Sequence, residues 1–180
     1  MITSLINFLT LMRILLAVAI SLILIAEEGY IFALILFLFA GISDFFDGYF
    51  ARKFDASSEI GEILDPIADK ILVVFLLVTL SVTLSSFLLA FSTALIISRE
   101  IWVSALRDFS ARNNISNATK VTFLAKVKTS AQLFTIFLYL MALATNIMIL
   151  VIFADLFLIA SVLITLLTGY DYTINVLKQR

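Results

Sequence analysis

Long apolar runs recur along the whole of this 180-residue chain, and they limit its fold more than any other feature. A helix needs about 20 apolar residues to cross a hydrocarbon core roughly 30 Å thick. Hydrophobic residues make up 63% of the sequence, whereas soluble domains contain about 45–50%. Because the runs are spread over the full length, one removable signal peptide does not account for them. The sequence therefore predicts a polytopic membrane protein.

Charged and turn-forming residues divide the chain into six predicted transmembrane helices. The predicted fold is all-α and forms one membrane-embedded domain, residues 1–180, since no linker or short repeat divides it. Residues 1–7 are a candidate for a short interfacial helix before the first span. The predicted spans are Phe8–Ala26, Tyr30–Phe54, Ile60–Val82, Ser86–Arg107, Thr122–Ala144 and Ile149–Leu167.

The basic residues predict the orientation of these helices. If the N-terminus is cytoplasmic, all 12 Lys and Arg residues fall in cytoplasmic loops or in the cytoplasmic halves of spans. The opposite loops, at 27–29, 81–86 and 145–148, contain none. Because Lys and Arg concentrate on the cytoplasmic side, we expect an integral protein of the cytoplasmic membrane with both termini inside.

Four aspartates lie where the second and third predicted helices meet the cytoplasm: Asp44, Asp47, Asp65 and Asp69. An intramembrane carboxylate costs at least about 2.5–3.5 kcal/mol, so such residues are candidates for function. Spacings of three and four residues place each pair on one helix face. We expect the two helices to be antiparallel neighbours and the two pairs to converge.

The lack of cysteine and histidine means that any metal must be held by oxygen ligands. Two divalent ions, Mg²⁺ or Mn²⁺, would offset the repulsion among the carboxylates. Paired ions suit displacement at phosphorus, because they stabilise both the attacking and the leaving oxygens. Gly48, Ala51 and Gly61 leave room beside the acids for a nucleotide, and Arg52 offers a forked donor for a phosphate.

These positions resemble the signature of the CDP-alcohol phosphatidyltransferase family, D-x-x-D-G-x-x-A-R, eight further residues, and G-x-x-x-D-x-x-x-D. Every element is matched, by Asp44, Asp47, Gly48, Ala51, Arg52, Gly61, Asp65 and Asp69. The segments beginning at Asn7, Ser98 and Ala125 are similar to those of family members that use glycerol 3-phosphate. Ala125 stands where those members have glycine. The resemblance also implies a homodimer.

The resemblance implies that a phosphatidyl group passes from CDP-diacylglycerol to glycerol 3-phosphate, with release of CMP. Asp44, Asp47 and Asp65 would be metal ligands, and Asp69 would be both a ligand and the base that deprotonates the acceptor. The implied donor-binding residues are Gly48, Ala51, Arg52, Gly61, Asn7 and Thr10. The basic residues expected at the acceptor site are Arg99, Arg107, Lys126 and Lys128.

Two alternatives stay open on the residues alone. The first is a transferase of the same family that uses serine, inositol phosphate or a second phosphatidylglycerol as acceptor. Lys126, Lys128 and Arg99 favour a phosphorylated acceptor over serine, and the Ser98 and Ala125 segments favour glycerol 3-phosphate. The second is a divalent-cation transporter, although transport would favour acids near the midplane of the membrane. No nucleic-acid partner is expected.

Overall fold

The chain folds into six α-helices in this computed structural model, which describes residues 2–54, 59–113, 115 and 123–179. Side chains are described from Phe8 onward, apart from those of residues 45, 47–54, 59, 60, 62, 63, 123, 125 and 126. The described residues include no β-strand, and the predicted all-α fold is confirmed. The helices are α1 (Ile2–Ile25), α2 (Tyr30–Phe54), α3 (Glu59–Thr83), α4 (Phe87–Arg112), α5 (Phe123–Thr145) and α6 (Met148–Lys178).

Tight turns join α1 to α2, α3 to α4 and α5 to α6, and each turn contains a residue with positive φ. Glu27, Ser85 and Asn146 have φ values of 56°, 46° and 55°, and Gly29 has a φ of 75°. A left-handed residue commonly ends a helix, because it turns the chain away from the helical path. These turns lie in or next to the predicted breaks, so the sequence located them well.

Both ends of the chain differ from the prediction. The first helix is continuous from Ile2, so it begins before the predicted start of the first span at Phe8 and includes residues 2–7. The last helix ends at Lys178, well beyond the predicted end at Leu167. Thr168, Tyr172 and Val176 are buried at four-residue intervals, so packing on the rest of the bundle extends α6 past its apolar run.

The helices pack around α1 at one side of the bundle and around α6 at the other. The first helix contacts both α2 and α3, whereas α6 contacts α4 and α5, and α5 also contacts α2. Fully buried alanines, such as Ala17, Ala33 and Ala154, allow close approach between helices. Within the described ranges α2 and α3 do not contact one another, and α1 contacts both, so the expectation that α2 and α3 are direct neighbours is wrong for these ranges.

The exterior of the bundle is strongly apolar, as expected for a surface in contact with lipid. Phe87, Met148 and Leu15 are 83%, 80% and 69% exposed. Five helices are long and apolar enough to cross a membrane, and α2 contributes a shorter apolar part over Tyr30–Asp44 in the described residues. The protein is therefore an integral membrane protein.

Candidate active site

Two of the four predicted aspartates meet on a buried arginine from α1. Arg13, only 1% exposed, places its Nη1 atom 2.9 Å from Asp44 Oδ1 and 2.6 Å from Asp69 Oδ1. The guanidinium thus lies between the acidic ends of α2 and α3. Arg13 therefore brings acids of α2 and α3 together through a cation from a third helix, which offsets part of the repulsion between like charges.

A second contact with α1 fixes the next aspartate. Thr10, which is fully buried, donates a hydrogen bond from Oγ1 to Asp65 Oδ1 over 2.7 Å. Thr10 and Arg13 are three residues apart, so both lie on the face of α1 that is turned to α3. Gly61, one turn before Asp65, is also buried. The first helix therefore organises the acidic cluster.

Some predicted site residues have side chains outside the described part of the chain. They are Asn7, Asp47, Gly48, Ala51, Arg52 and Lys126. Among the described side chains, no three acidic groups are arranged to hold a metal ion. Asp44 and Asp69 are instead paired with Arg13, and Asp65 with Thr10.

The donor atoms of the acidic cluster are nevertheless suitable ligands for a divalent cation. Its donors are carboxylate oxygens, which suit hard ions such as Mg²⁺ and Mn²⁺. Asp44 and Asp69 already converge on one positive charge, and their side chains are 48% and 43% exposed. An ion from solution can reach both.

An apolar cavity of about 430 Å³ lies beside the acids, between α2, α3 and α5. Its walls are mainly aliphatic and aromatic, with Phe37 and Leu72 among them. Leu38, Ile42 and Phe46 also line it and are exposed on the outside of the bundle. The cavity is therefore accessible from the hydrocarbon region.

A second cavity, of about 440 Å³, is lined by charged residues of α3, α4 and α5. Arg99, Arg107 and Lys128, three of the four residues predicted for the acceptor, lie in its wall. Asp69, Val73 and Thr129 line both cavities. The apolar and the basic cavities thus meet at Asp69.

The arginines of the basic cavity are anchored on α6. Arg99 is only 7% exposed. It donates a hydrogen bond from Nε to the Thr165 carbonyl oxygen over 3.0 Å and another from Nη2 to Thr168 Oγ1 over 2.8 Å. Arg99 and Arg107 both face the buried Tyr172 ring, with their Cζ atoms 5.8 and 5.6 Å from its centroid. This arrangement fixes the two guanidinium groups at the cavity wall.

The model of the CDP-alcohol phosphatidyltransferase family matches residues 3–167, which is nearly the whole chain and includes all four aspartates. The chain belongs to the CDP-alcohol phosphatidyltransferase family.

Three curated relatives at 33–37% identity are each named CDP-diacylglycerol–glycerol-3-phosphate 3-phosphatidyltransferase. The relative from Rickettsia typhi is 37% identical over 169 residues, which cover 92% of this chain and 93% of the relative. The relative from Rickettsia bellii is 36% identical over 139 residues, or 77% of this chain and 75% of the relative. The one from Escherichia coli K12 is 33% identical over 101 residues, or 56% of each chain.

Sequence reasoning about this phosphatidyltransferase did not predict the contacts of two residues of the site, Arg13 and Glu100. Arg13 is the only Lys or Arg before Arg52, and it lies inside an apolar span; that position was the available signal. Glu100 accepts hydrogen bonds from Lys128 Nζ and, over 2.9 Å, from Arg99 Nη1. Glu100 directly follows Arg99 in the sequence, and this position was the available signal.

Two further contacts of acidic residues join helices. The Nζ atom of Lys70 lies 3.8 Å from Glu100 Oε2. Asp155 accepts a hydrogen bond from Tyr139 Oη over 2.5 Å, between α6 and α5.

Proposed function

We propose that this phosphatidyltransferase moves the phosphatidyl group of CDP-diacylglycerol to glycerol 3-phosphate, giving phosphatidylglycerophosphate and CMP. One observation carries the proposal: Asp69 lies where an apolar cavity meets a basic one. A lipid donor and a small anionic acceptor require different surroundings, and a transfer reaction requires them to meet at one point.

The apolar cavity suits the lipid end of the donor. It is reached between exposed residues of α2, Leu38 and Ile42, which would face acyl chains in a bilayer. Asp44 lines the same cavity, at the end where the pyrophosphate of a CDP-activated lipid would have to lie. The donor's nucleotide would then contact Gly48, Ala51, Arg52 and Gly61 together with Asn7 and Thr10, as the family resemblance implies.

The basic cavity suits the phosphate of the acceptor. Lys70, Arg99, Arg107 and Lys128 line it, and a phosphomonoester needs several such donors. Lys126 belongs to the same proposed group. A serine acceptor carries no phosphate to match these cations, and it is the weaker alternative for that reason.

Asp69 is proposed as the base of the reaction. It takes the proton from the acceptor hydroxyl as the oxygen forms a bond to the phosphorus of the phosphatidyl group. The bond from this phosphorus to the bridging oxygen breaks, and CMP leaves with that oxygen. Arg13, which contacts Asp69 at 2.6 Å, orients the carboxylate toward the junction of the two cavities.

Asp44, Asp47, Asp65 and Asp69 are proposed to hold two divalent ions, Mg²⁺ or Mn²⁺. When bound, such ions would neutralise the pyrophosphate charge and steady the leaving oxygen. The all-oxygen donor set and the convergence of Asp44 and Asp69 support this assignment.

The active site is proposed to face the cytoplasm, with both termini inside the cytoplasmic membrane. Six helices return the chain to its starting side if each one crosses, and the positive-inside distribution of Lys and Arg assigns that side. A homodimer, implied by the family resemblance, is the proposed oligomeric state. Native mass spectrometry of protein extracted in mild detergent would test it.

A comparison of acceptors tests the proposed substrate. Purified protein is given CDP-diacylglycerol and Mg²⁺ with glycerol 3-phosphate, serine, inositol phosphate or no acceptor, and released CMP is measured. We expect release that depends on glycerol 3-phosphate. Faster release with inositol phosphate or serine would assign the protein to another branch of the family, and no release with any acceptor would contradict transferase activity.

A further inference from the structure

Glu100 occupies the centre of the charged groups that line the basic cavity. Its Oε1 atom accepts hydrogen bonds from Arg99 Nη1, over 2.9 Å, and from Lys128 Nζ. Its Oε2 atom faces Lys70 Nζ at 3.8 Å. The carboxylate is only 17% exposed, so it is shielded from solvent by the cations around it. Glu100 thus connects basic residues of three helices, α3, α4 and α5.

Lys128 depends on this carboxylate more than the other cations do. Its side chain is 9% exposed, and within the described part of the chain Glu100 is its one hydrogen-bond partner. Arg99, in contrast, is also fixed by Thr165 and Thr168 of α6. Lys70 has a second contact, a 3.1 Å hydrogen bond from Nζ to Ser104 Oγ. A buried ammonium without its counter-charge would move toward water.

The charge balance of the cavity also includes Glu100. Four cations line it, Lys70, Arg99, Arg107 and Lys128, and so do two carboxylates, Asp69 and Glu100, which gives a formal charge of +2. A phosphomonoester carries about −1.5 to −2 at pH 7. With Glu100 in place, the lining therefore matches one phosphate dianion.

We infer that Glu100 is a positioning residue for the acceptor: it holds Lys128 and Lys70 at the spacing that receives the acceptor's phosphate. This inference rests on the proposed function, and it names the residue that orders the phosphate subsite. A carboxylate repels phosphate, so Glu100 acts through the cations and not by contact with the phosphate.

This inference and simple electrostatics predict opposite effects of Glu100→Gln on phosphate binding. If Glu100 were only a negative charge near the subsite, Glu100→Gln would strengthen phosphate binding. If it positions Lys128 and Lys70, Glu100→Gln weakens binding, by roughly tenfold for the loss of one well-placed charged donor. Glu100→Asp keeps the charge but shortens the side chain, so it too should weaken binding, although electrostatics alone predicts no change.

The experiment measures binding of inorganic phosphate to purified protein by calorimetry and the KM values for both substrates in the CMP-release assay. We expect Glu100→Gln to weaken phosphate binding and to raise the KM for glycerol 3-phosphate roughly tenfold, with the KM for CDP-diacylglycerol unchanged. Asp108→Asn is the matched control, because it removes an exposed carboxylate from the same helix, paired with Arg112 at 2.9 Å. Phosphate binding as tight as in the wild type, or tighter, would overturn the inference.

A double-mutant cycle with Lys128→Met tests whether Glu100 acts through Lys128. If it does, Glu100→Gln causes a smaller loss of phosphate affinity in the Lys128→Met background than in the wild type, because, of the two lysines, only the contact with Lys70 remains to be lost. Additive losses would contradict the mechanism. If Glu100→Gln does not yield folded protein, Glu100→Asp takes its place in both measurements. It is likewise expected to weaken phosphate binding and to raise the KM for glycerol 3-phosphate.

The two readouts separate this inference from the proposed function. Wild-type protein that binds phosphate but does not turn over glycerol 3-phosphate would refute the proposed reaction, while the comparison of phosphate affinities would still decide the role of Glu100. Normal turnover in the wild type with unaltered phosphate binding in the Glu100 variants would refute only the inference.

Discussion

Arg13 is a basic residue inside an apolar span, and it lies within the acidic cluster. Basic residues in such a position usually have a function. Its guanidinium is buried, and it contacts Asp44 and Asp69 on two different helices. A cation in this place offsets part of the repulsion between the two carboxylates. The same contact sets the direction of the Asp69 carboxylate, which the proposed reaction uses as a base.

Replacing Arg13 by Met should destabilise the protein and make its stability more dependent on metal. The two aspartates lose their shared counter-charge, but both are nearly half exposed, so screening reduces the cost to roughly 1–3 kcal/mol. We expect the Tm in detergent to fall by several degrees and Mg²⁺ to raise it more in the variant than in the wild type. Arg112→Met, which breaks an exposed pair, should leave both quantities unchanged. An unaltered Tm for Arg13→Met would contradict this role.

Asp69→Asn should abolish turnover and largely preserve donor binding. The amide cannot accept the hydroxyl proton, and loss of a general base typically lowers the rate by about 10²–10⁴-fold. The measurements are CMP release and binding of CDP-diacylglycerol to the purified variant. Near-normal turnover would refute the assignment of Asp69 as the base.

At the scale of single residues, the sequence predicted which side chains matter better than it predicted their partners. The aspartates were identifiable because charge inside an apolar span is costly. Their pairing with Thr10 and Arg13 depends on how α1 packs between α2 and α3, and no short-range pattern encodes that packing. The role of Glu100 was hidden for the same reason, because its partners Lys70 and Lys128 come from two other helices.

The contact between α4 and α6 is the element-level feature that supports the basic cavity. Gly169 lies against Arg99, and a Cβ atom placed on it would lie 3.1 Å from Arg99 Cγ and 3.3 Å from Arg99 Nε. Arg99 cannot move aside easily, since it is held by Thr165, Thr168 and Glu100. The glycine therefore allows α6 to approach the arginine closely. Apolar content alone did not predict that α6 continues past this point, because the packing surface there is partly polar.

Gly169→Ala should shift Arg99 and raise the KM for glycerol 3-phosphate by several-fold, with a lower Tm. Gly41→Ala is the control for stability, because nothing lies within 4 Å of the Cβ position there. At Gly41 the substitution should maintain or slightly raise the Tm, since alanine favours the helix by about 0.5–1 kcal/mol. Equal effects of the two substitutions on Tm and KM would show that the close contact with Arg99 is unimportant.

For the whole molecule, six helices and a strongly apolar exterior followed directly from hydrophobic run length and the placement of charge. The arrangement of the helices did not, because apolar faces of similar composition can pack in several ways. The result of that arrangement is a pair of cavities of different character that share Asp69.

The proposed topology can be tested cleanly because the chain contains no cysteine. Single substitutions Ser85→Cys, in the α3–α4 turn, and Gln179→Cys, after α6, place one thiol at an exposed position on each side of the bundle. In intact cells, an impermeant maleimide should label the thiol at position 85 and should label the one at position 179 only after permeabilisation. The reverse pattern would invert the orientation.

The most direct test of the central claim follows label from the acceptor into lipid. Purified protein is incubated with CDP-diacylglycerol, Mg²⁺ and radiolabelled glycerol 3-phosphate, and both the organic-phase label and the released CMP are quantified. Transfer to glycerol 3-phosphate predicts one labelled lipid molecule for each CMP released. CMP release without label in the organic phase would mean that glycerol 3-phosphate is not the acceptor, and it would contradict the account.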